Sequence, residues 1–188
     1  MKITHVLFKP LLTLMIMGIS STSCSSDDNS SSPSNSGNSS YSITIEGDKT
    51  YSNSWDGDSE EGAIVSLFNK DLEGAENISL VISDDLHDFN VIGAFMLNSD
   101  QQPLRLANLA NDDLGNGDHS SIVITVGDKT YMANSGSAKL SNLKTSMLGQ
   151  FTGFASYDMV IDGKFDVAGT QAVEQIKITG TVKAISLF

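Results

Sequence analysis

Apolar and polar residues alternate along most of this chain from Tyr41 onward. Ile43 and Ile45 alternate with polar residues, and in 159–167 the residues Met159, Ile161, Gly163, Phe165 and Val167 alternate with Asp162, Lys164 and Asp166. A period of two is typical of a β-strand with one buried and one solvated face. Beyond the first hairpin, we predict strands at 63–68, 77–83, 91–98, 121–126, 136–141, 150–155, 159–167 and 173–187. Short strands separated by Gly, Asn and Asp predict an all-β fold, an antiparallel β-sandwich or barrel-like domain with many hairpins and little helix.

The pentapeptide Gly-Asp-Lys-Thr-Tyr occurs twice, at 47–51 and at 127–131, each time after an alternating apolar stretch. A two-residue turn that begins with glycine favours a tight type II′ hairpin, because glycine tolerates the positive φ at that position. We therefore predict two such hairpins. The flanking residues differ, so we interpret the repeat as convergent turn chemistry, with a duplicated half-domain as the alternative.

Helical pattern is weak. Residues 103–114 fit a short helix, although the Leu-Arg-Leu at 104–106 fits a strand equally well, and 140–147 is a second, weaker helical candidate.

The N-terminal segment has the pattern of an export signal. Lys2 and Lys9 precede an apolar run at 10–19, and small residues lead to Cys24, the only cysteine. A basic start, a short apolar run and a small-residue cleavage site define a secretory signal. The run is about half the roughly 20 residues that span a bilayer. We predict a signal peptide at 1–23, a lipidated cysteine and flexible Ser/Asn/Asp tether at 24–40, and a single β domain at 41–188.

The residues around the cysteine carry a resemblance. Ser-Thr-Ser-Cys at 21–24 resembles a relaxed bacterial lipobox, with Ser21 where leucine is usual. The next residues resemble the acidic surface-export signal of Bacteroidota-type lipoproteins; they are Ser25, Ser26, Asp27 and Asp28. The resemblance covers only the N-terminal signal and tether. It implies acylation of Cys24 and an outer-membrane protein that is lipid-anchored and faces the cell exterior.

Charge excludes one class of partner. The formal net charge is −12, from 23 acids against 11 lysines and arginines. Nucleic-acid binding needs a basic surface that displaces counterions from phosphates, so we exclude nucleic acid as a partner. An acidic domain is also repelled by anionic lipid, so we expect the lipid anchor to provide the membrane attachment.

Two acidic loops are candidate Ca²⁺ sites, since Ca²⁺ prefers oxygen ligands. The first follows Trp55 and contains Asp56, Asp58 and Glu60; the second offers Asn111, Asp113 and Asp118. Neither matches the ligand spacing of a known calcium loop, and a solvated turn is the simpler interpretation of each. We predict no other cofactor.

Catalytic patterns are sparse. His87 follows Asp84 and Asp85, which could orient it as a general base, but a polar loop histidine is the simpler interpretation. Trp55, the only tryptophan, is a candidate for stacking on a ligand such as a sugar, or is packed under its own domain.

We therefore predict a non-catalytic binding or structural domain with a glycan or protein partner. The alternatives are a polysaccharide-directed hydrolase using carboxylates of the first acidic loop, and a lipocalin-like carrier of an apolar ligand.

Overall fold

The computed structural model describes residues 38–55, 62–108, 118–169 and 175–185, which are β-strands and turns without a helix. Ten strands are formed: β1 Ser39–Ile45, β2 Thr50–Trp55, β3 Gly62–Lys70, β4 Glu76–Asp84, β5 Phe89–Met96, β6 Leu106–Ala107, β7 Ser121–Val126, β8 Lys129–Met147, β9 Thr152–Val167 and β10 Gln175–Ala184. All named strand pairs are antiparallel. The predicted all-β antiparallel fold with many hairpins is therefore confirmed.

The strand pairings close into a circuit. In the order β3, β4, β5, β7, β8 and β9, each strand pairs with the next, and β9 returns to β3 through the pairs between 152–154 and 67–69. The remaining length of that β9 edge pairs with β10, which pairs with β1, which pairs with β2. We call β3, β4, β5, β7 and the first half of β8 the first layer, and β1, β2, β9 and β10 the second layer. The two layers meet across the core, where the rings of Tyr41 on β1 and Phe89 on β5 stack with centroids 4.8 Å apart.

Alternation along the strands builds that core. On β4 the inward residues Ile78, Leu80 and Ile82 are fully covered, whereas Val81 between them is exposed. The buried side chains form one hydrophobic cluster that draws on both layers. The lipocalin-like carrier hypothesis stays a prediction.

The two Gly-Asp-Lys-Thr-Tyr hairpins differ in their turns. Val126 pairs directly with Lys129, and Gly127 has a φ of +55°, so the second loop has two residues as predicted. In the first hairpin, the Asp48 amide donates to the Ile45 carbonyl, which places Gly47 (φ +80°) third in the turn rather than second. The type II′ prediction is wrong there, because the turn begins one residue earlier.

The helical candidate at 140–147 is wrong, because these residues form the second half of β8. Register shifts occur between Ala133 and Ser135 and between Ser141 and Lys144. Each shift changes the parity of the apolar positions, so no single period of two runs through the strand. In 103–114, the described residues include the short strand β6, and 109–114 lie outside the described residues. No helix in the described part of the chain is long and apolar enough to cross a membrane.

Candidate functional site

A buried carboxylate joins four elements at one end of the core. Asp84, the last residue of β4, is fully covered. Its Oδ2 accepts a hydrogen bond of 2.5 Å from the Tyr41 hydroxyl on β1 and one of 3.2 Å from Asn53 on β2, and lies 2.7 Å from His87 Nδ1 in the β4–β5 turn. We call these four residues the Asp84 cluster. It connects both layers through a single oxygen atom.

The hydrogen bonds set the charge of this cluster. Burial raises the pKa of the Asp84 carboxyl, but the hydrogen bonds from Tyr41, His87 and Asn53 outweigh burial and hold that pKa below its usual value. Burial, together with the hydrogen bond to Asp84 and its charge, raises the pKa of the Tyr41 hydroxyl. At neutral pH the cluster is therefore a carboxylate held by a protonated tyrosine.

Trp55 packs beside this cluster. Its ring stacks on Tyr41 with centroids 5.8 Å apart, and a Cβ at Gly62 would lie 2.6 Å from its Cζ2 atom, so glycine is required where β3 begins. The indole is 5% exposed. Sugar stacking on Trp55 would require this packing to open, and it stays a prediction.

Two polar atoms of this region have no hydrogen-bond partner among the residues described: the Trp55 indole nitrogen and Asp84 Oδ1. One is a donor and the other an acceptor. Asp84 Oδ2 is in contact with Tyr41, Asn53 and His87. The contact between Asp84 and His87 therefore helps to hold the β4–β5 turn against β1 and β2. Of the acids near His87 in the sequence, Asp84 lies within 2.7 Å of its ring, and a general-base role for His87 stays a prediction.

The other predicted site residues are not brought together in the described structure. Cys24, Ser25, Ser26, Asp27 and Asp28 lie outside the described residues. The same is true of the calcium candidates Asp56, Asp58, Glu60, Asn111 and Asp113, whereas Asp118 is described and exposed.

The described ranges contain no group of three His, Cys, Asp or Glu side chains that could hold a metal ion. Calcium binding at the two acidic loops therefore stays a prediction.

The outer surface of one layer is uncharged. On β3, β4, β5, β7 and the start of β8, the outward positions carry only Ala, Val, Leu, Ile, Met, Ser, Thr and Asn. They are Ala63, Val65, Leu67, Asn69, Asn77, Ser79, Val81, Ser83, Asn90, Ile92, Ala94, Met96, Val123, Thr125, Thr130 and Met132. We call this surface the neutral face.

An aliphatic row crosses the centre of the neutral face. Strand register places Val65, Val81, Ile92, Val123 and Met132 side by side on five neighbouring strands. Ile92, at the centre, is 61% exposed. Serine, threonine and asparagine flank the row and hydrogen-bond across strands, as Ser83 does with Asn90 over 3.1 Å. An apolar centre surrounded by polar residues is typical of a protein-binding surface.

The opposite layer is charged on its outside. Its outward residues include Asp158, Asp162, Lys164, Lys177 and Lys183, and Lys177 lies 3.6 Å from Asp162. Asp166 pairs with Met132 and therefore borders the neutral face where β8 meets β9. The neutral face is therefore not a general property of this acidic chain. Sequence reasoning missed it because each strand was assessed singly, although the lack of charge at alternate positions of 63–69, 77–83 and 90–96 was visible.

No protein-family model matches the chain, and no curated protein or solved structure matches it either.

Proposed function

We propose that this protein is a lipid-anchored binding module at the exterior of the outer membrane, and that it presents the neutral face to a partner. The neutral face is the observation that supports binding. A chain with a net charge of −12 leaves a surface of five strands without a charged side chain, and charged residues are depleted at the centres of protein interfaces. The signal-like segment and Cys24 support the anchor.

The surface chemistry favours a protein partner over a glycan. Sugar rings are bound by exposed aromatic side chains, and none of the outward residues of the neutral face is aromatic. The central aliphatic row instead offers apolar contact area, and the flanking hydroxyl and amide groups offer hydrogen bonds to backbone or side-chain groups. A partner in an outer-membrane assembly fits this surface.

The anchor is tested by metabolic labelling with a clickable fatty acid. The wild-type protein should carry the label, Cys24→Ser should not, and an antibody should detect the wild type on intact cells. Absence of label or of surface signal would refute the anchored location.

The binding face is tested with a photo-crosslinking amino acid on intact cells. At position 92 it should give a discrete adduct with a protein. The matched control is position 160, because Val160 is 54% exposed on the charged outer surface of β9. No adduct at 92, or the same adduct from both positions, would refute the neutral face as the binding surface.

A further inference from the structure

Two neighbouring hairpin tips expose large apolar side chains. Leu72, in the β3–β4 turn, is 88% exposed, and Leu148, in the β8–β9 turn, is 68% exposed. Met147 and Phe151 beside Leu148 are also exposed. We call these four residues the apolar tip. Leu72 lies between the exposed acids Asp71 and Glu73, whereas the other three belong to one hairpin end. Large exposed apolar side chains grouped at one end of a domain indicate a surface that is covered in use.

The strand pairing brings the two turns together. Asn69 pairs with Thr152 where β3 meets β9, and the Lys70 amide donates to the Phe151 carbonyl over 2.8 Å. The β8–β9 turn is closed by a 3.0 Å hydrogen bond from the Leu148 amide to the Thr152 carbonyl. Both turns are therefore held in fixed positions side by side at one end of the domain.

The longer hairpin has an uncharged end. Residues 145–152 contain no charged side chain, and the nearest preceding charge on β8 is Lys144. In the neighbouring turn the carboxylate of Asp71 accepts hydrogen bonds from the amides of Glu73 and Ala75, so it closes that turn. An apolar end flanked by polar and charged groups matches the layering of a membrane interface, where apolar side chains enter the acyl boundary and polar ones stay in the headgroup region.

We propose that the apolar tip inserts into the surface of a lipid bilayer and so orients the domain. The shape of the tip favours lipid over a protein partner. The tip is built from two protruding turns rather than a flat or concave surface, and a fluid bilayer accommodates such a shape without matching it.

The chain that precedes β1 has a suitable length. In their shared sheet, β1 begins level with the pair Ala184–Tyr157, which lies five residues along β9 from Thr152, or about 17 Å. Fourteen residues separate Cys24 from Ser39, and an unstructured chain of that length spans about 20 Å on average, so the proposed anchor permits the tip to reach the bilayer.

The vesicle experiment uses the chain without its signal and with Cys24→Ser, so that acylation plays no part. Flotation with phosphatidylcholine vesicles should recover the protein with lipid at millimolar lipid concentration. The double variant Leu72→Ser with Leu148→Ser should bind at least about tenfold more weakly, because the contacts of two leucines with lipid are lost. Leu86→Ser is the control, since Leu86 is 66% exposed in the β4–β5 turn at the other end of β4. No flotation of the parent protein, or an equal loss in the control, overturns the proposal.

A second experiment uses the full-length protein in cells and rests on the proposed function. In Leu148→Cys and Leu86→Cys variants, the introduced thiol is reacted with a membrane-impermeant maleimide. The thiol at position 148 should react several-fold more slowly than the thiol at position 86, and equal rates overturn the proposal. Protection in cells without vesicle binding would also overturn it, because a protein would then cover the tip. Failure of Cys24 acylation would refute the proposed function. The vesicle experiment would still show whether the apolar tip binds lipid.

Discussion

Replacement of Asp84 by asparagine should destabilise the domain by about 3 kcal/mol at pH 7. The 2.5 Å contact from Tyr41 and the 2.7 Å contact to His87 are short enough to be charge-assisted hydrogen bonds, which are worth about 1.5–3 kcal/mol each. The 3.2 Å bond from Asn53 adds less. Relief from burying a charge offsets part of this loss, which leaves a net cost of about 3 kcal/mol.

The pH dependence tests the same reasoning. The Asp84 pKa is lowered in the folded state, so its stabilising contribution is complete above its unfolded pKa of about 3.9 and is lost as pH falls toward the folded value. The gap in unfolding free energy between wild type and Asp84→Asn should therefore be full at pH 7 and shrink below about pH 4.

Trp55 supplies the assay, since the only tryptophan is buried beside this cluster and its fluorescence reports unfolding. With a urea m-value of about 1–3 kcal/mol per molar, the midpoint should fall by about 1–3 M. Asp162→Asn is the control, because this exposed acid has only a 3.6 Å surface contact with Lys177 and should cost under about 0.5 kcal/mol. A midpoint for Asp84→Asn like that of the control, or a gap that does not change with pH, would refute the argument.

Two further predictions concern a strand and the acidic loops. Gly136→Ala should cost about 2–4 kcal/mol in urea unfolding, because Gly136 has a φ of +136° and a Cβ there would lie 2.4 Å from the Asp162 carbonyl oxygen. Gly149→Ala, with nothing near its Cβ position, should stay within about 1 kcal/mol of wild type, and similar losses in both would contradict this account. If the loop at 56–60 binds Ca²⁺, millimolar Ca²⁺ should raise Tm by at least about 2 °C in calorimetry. An equal response to Mg²⁺, or a shift that survives Asp58→Asn, would end the calcium hypothesis.

Local pattern was enough to predict most of the strands. The limits of β7, Ser121–Val126, were predicted in full, since its alternation ends at the Gly127-Asp128 turn that forces the chain to reverse. Local pattern failed in β8, where two register shifts reset the parity and its second half looked weakly helical. Cross-strand pairing with β9 decided that segment, and such pairing is not encoded in neighbouring residues.

The candidate sites were predictable to different degrees. The local pattern assigned Asp84 to a polar loop, because its burial depends on Tyr41 and Asn53, which are distant in sequence and belong to the other layer. The exposure of Leu148 could not be predicted from the sequence either, since an apolar residue between two strand candidates is usually buried. The burial of Trp55 could not be predicted either. The sequence allowed an exposed or a packed tryptophan, and its burial depends on contacts with Gly62 and Tyr41.

The pairing of the first strand with the last has a consequence for biogenesis. Ser40 lies opposite Lys183, and the Ser39 hydroxyl accepts a 3.0 Å hydrogen bond from the Ile185 amide, so the two ends of the domain complete each other. The sheet therefore cannot be completed until the ribosome has made β10, Gln175–Ala184. Contacts between residues so far apart in sequence also slow the search for the native state, toward the millisecond-to-second range of all-β proteins.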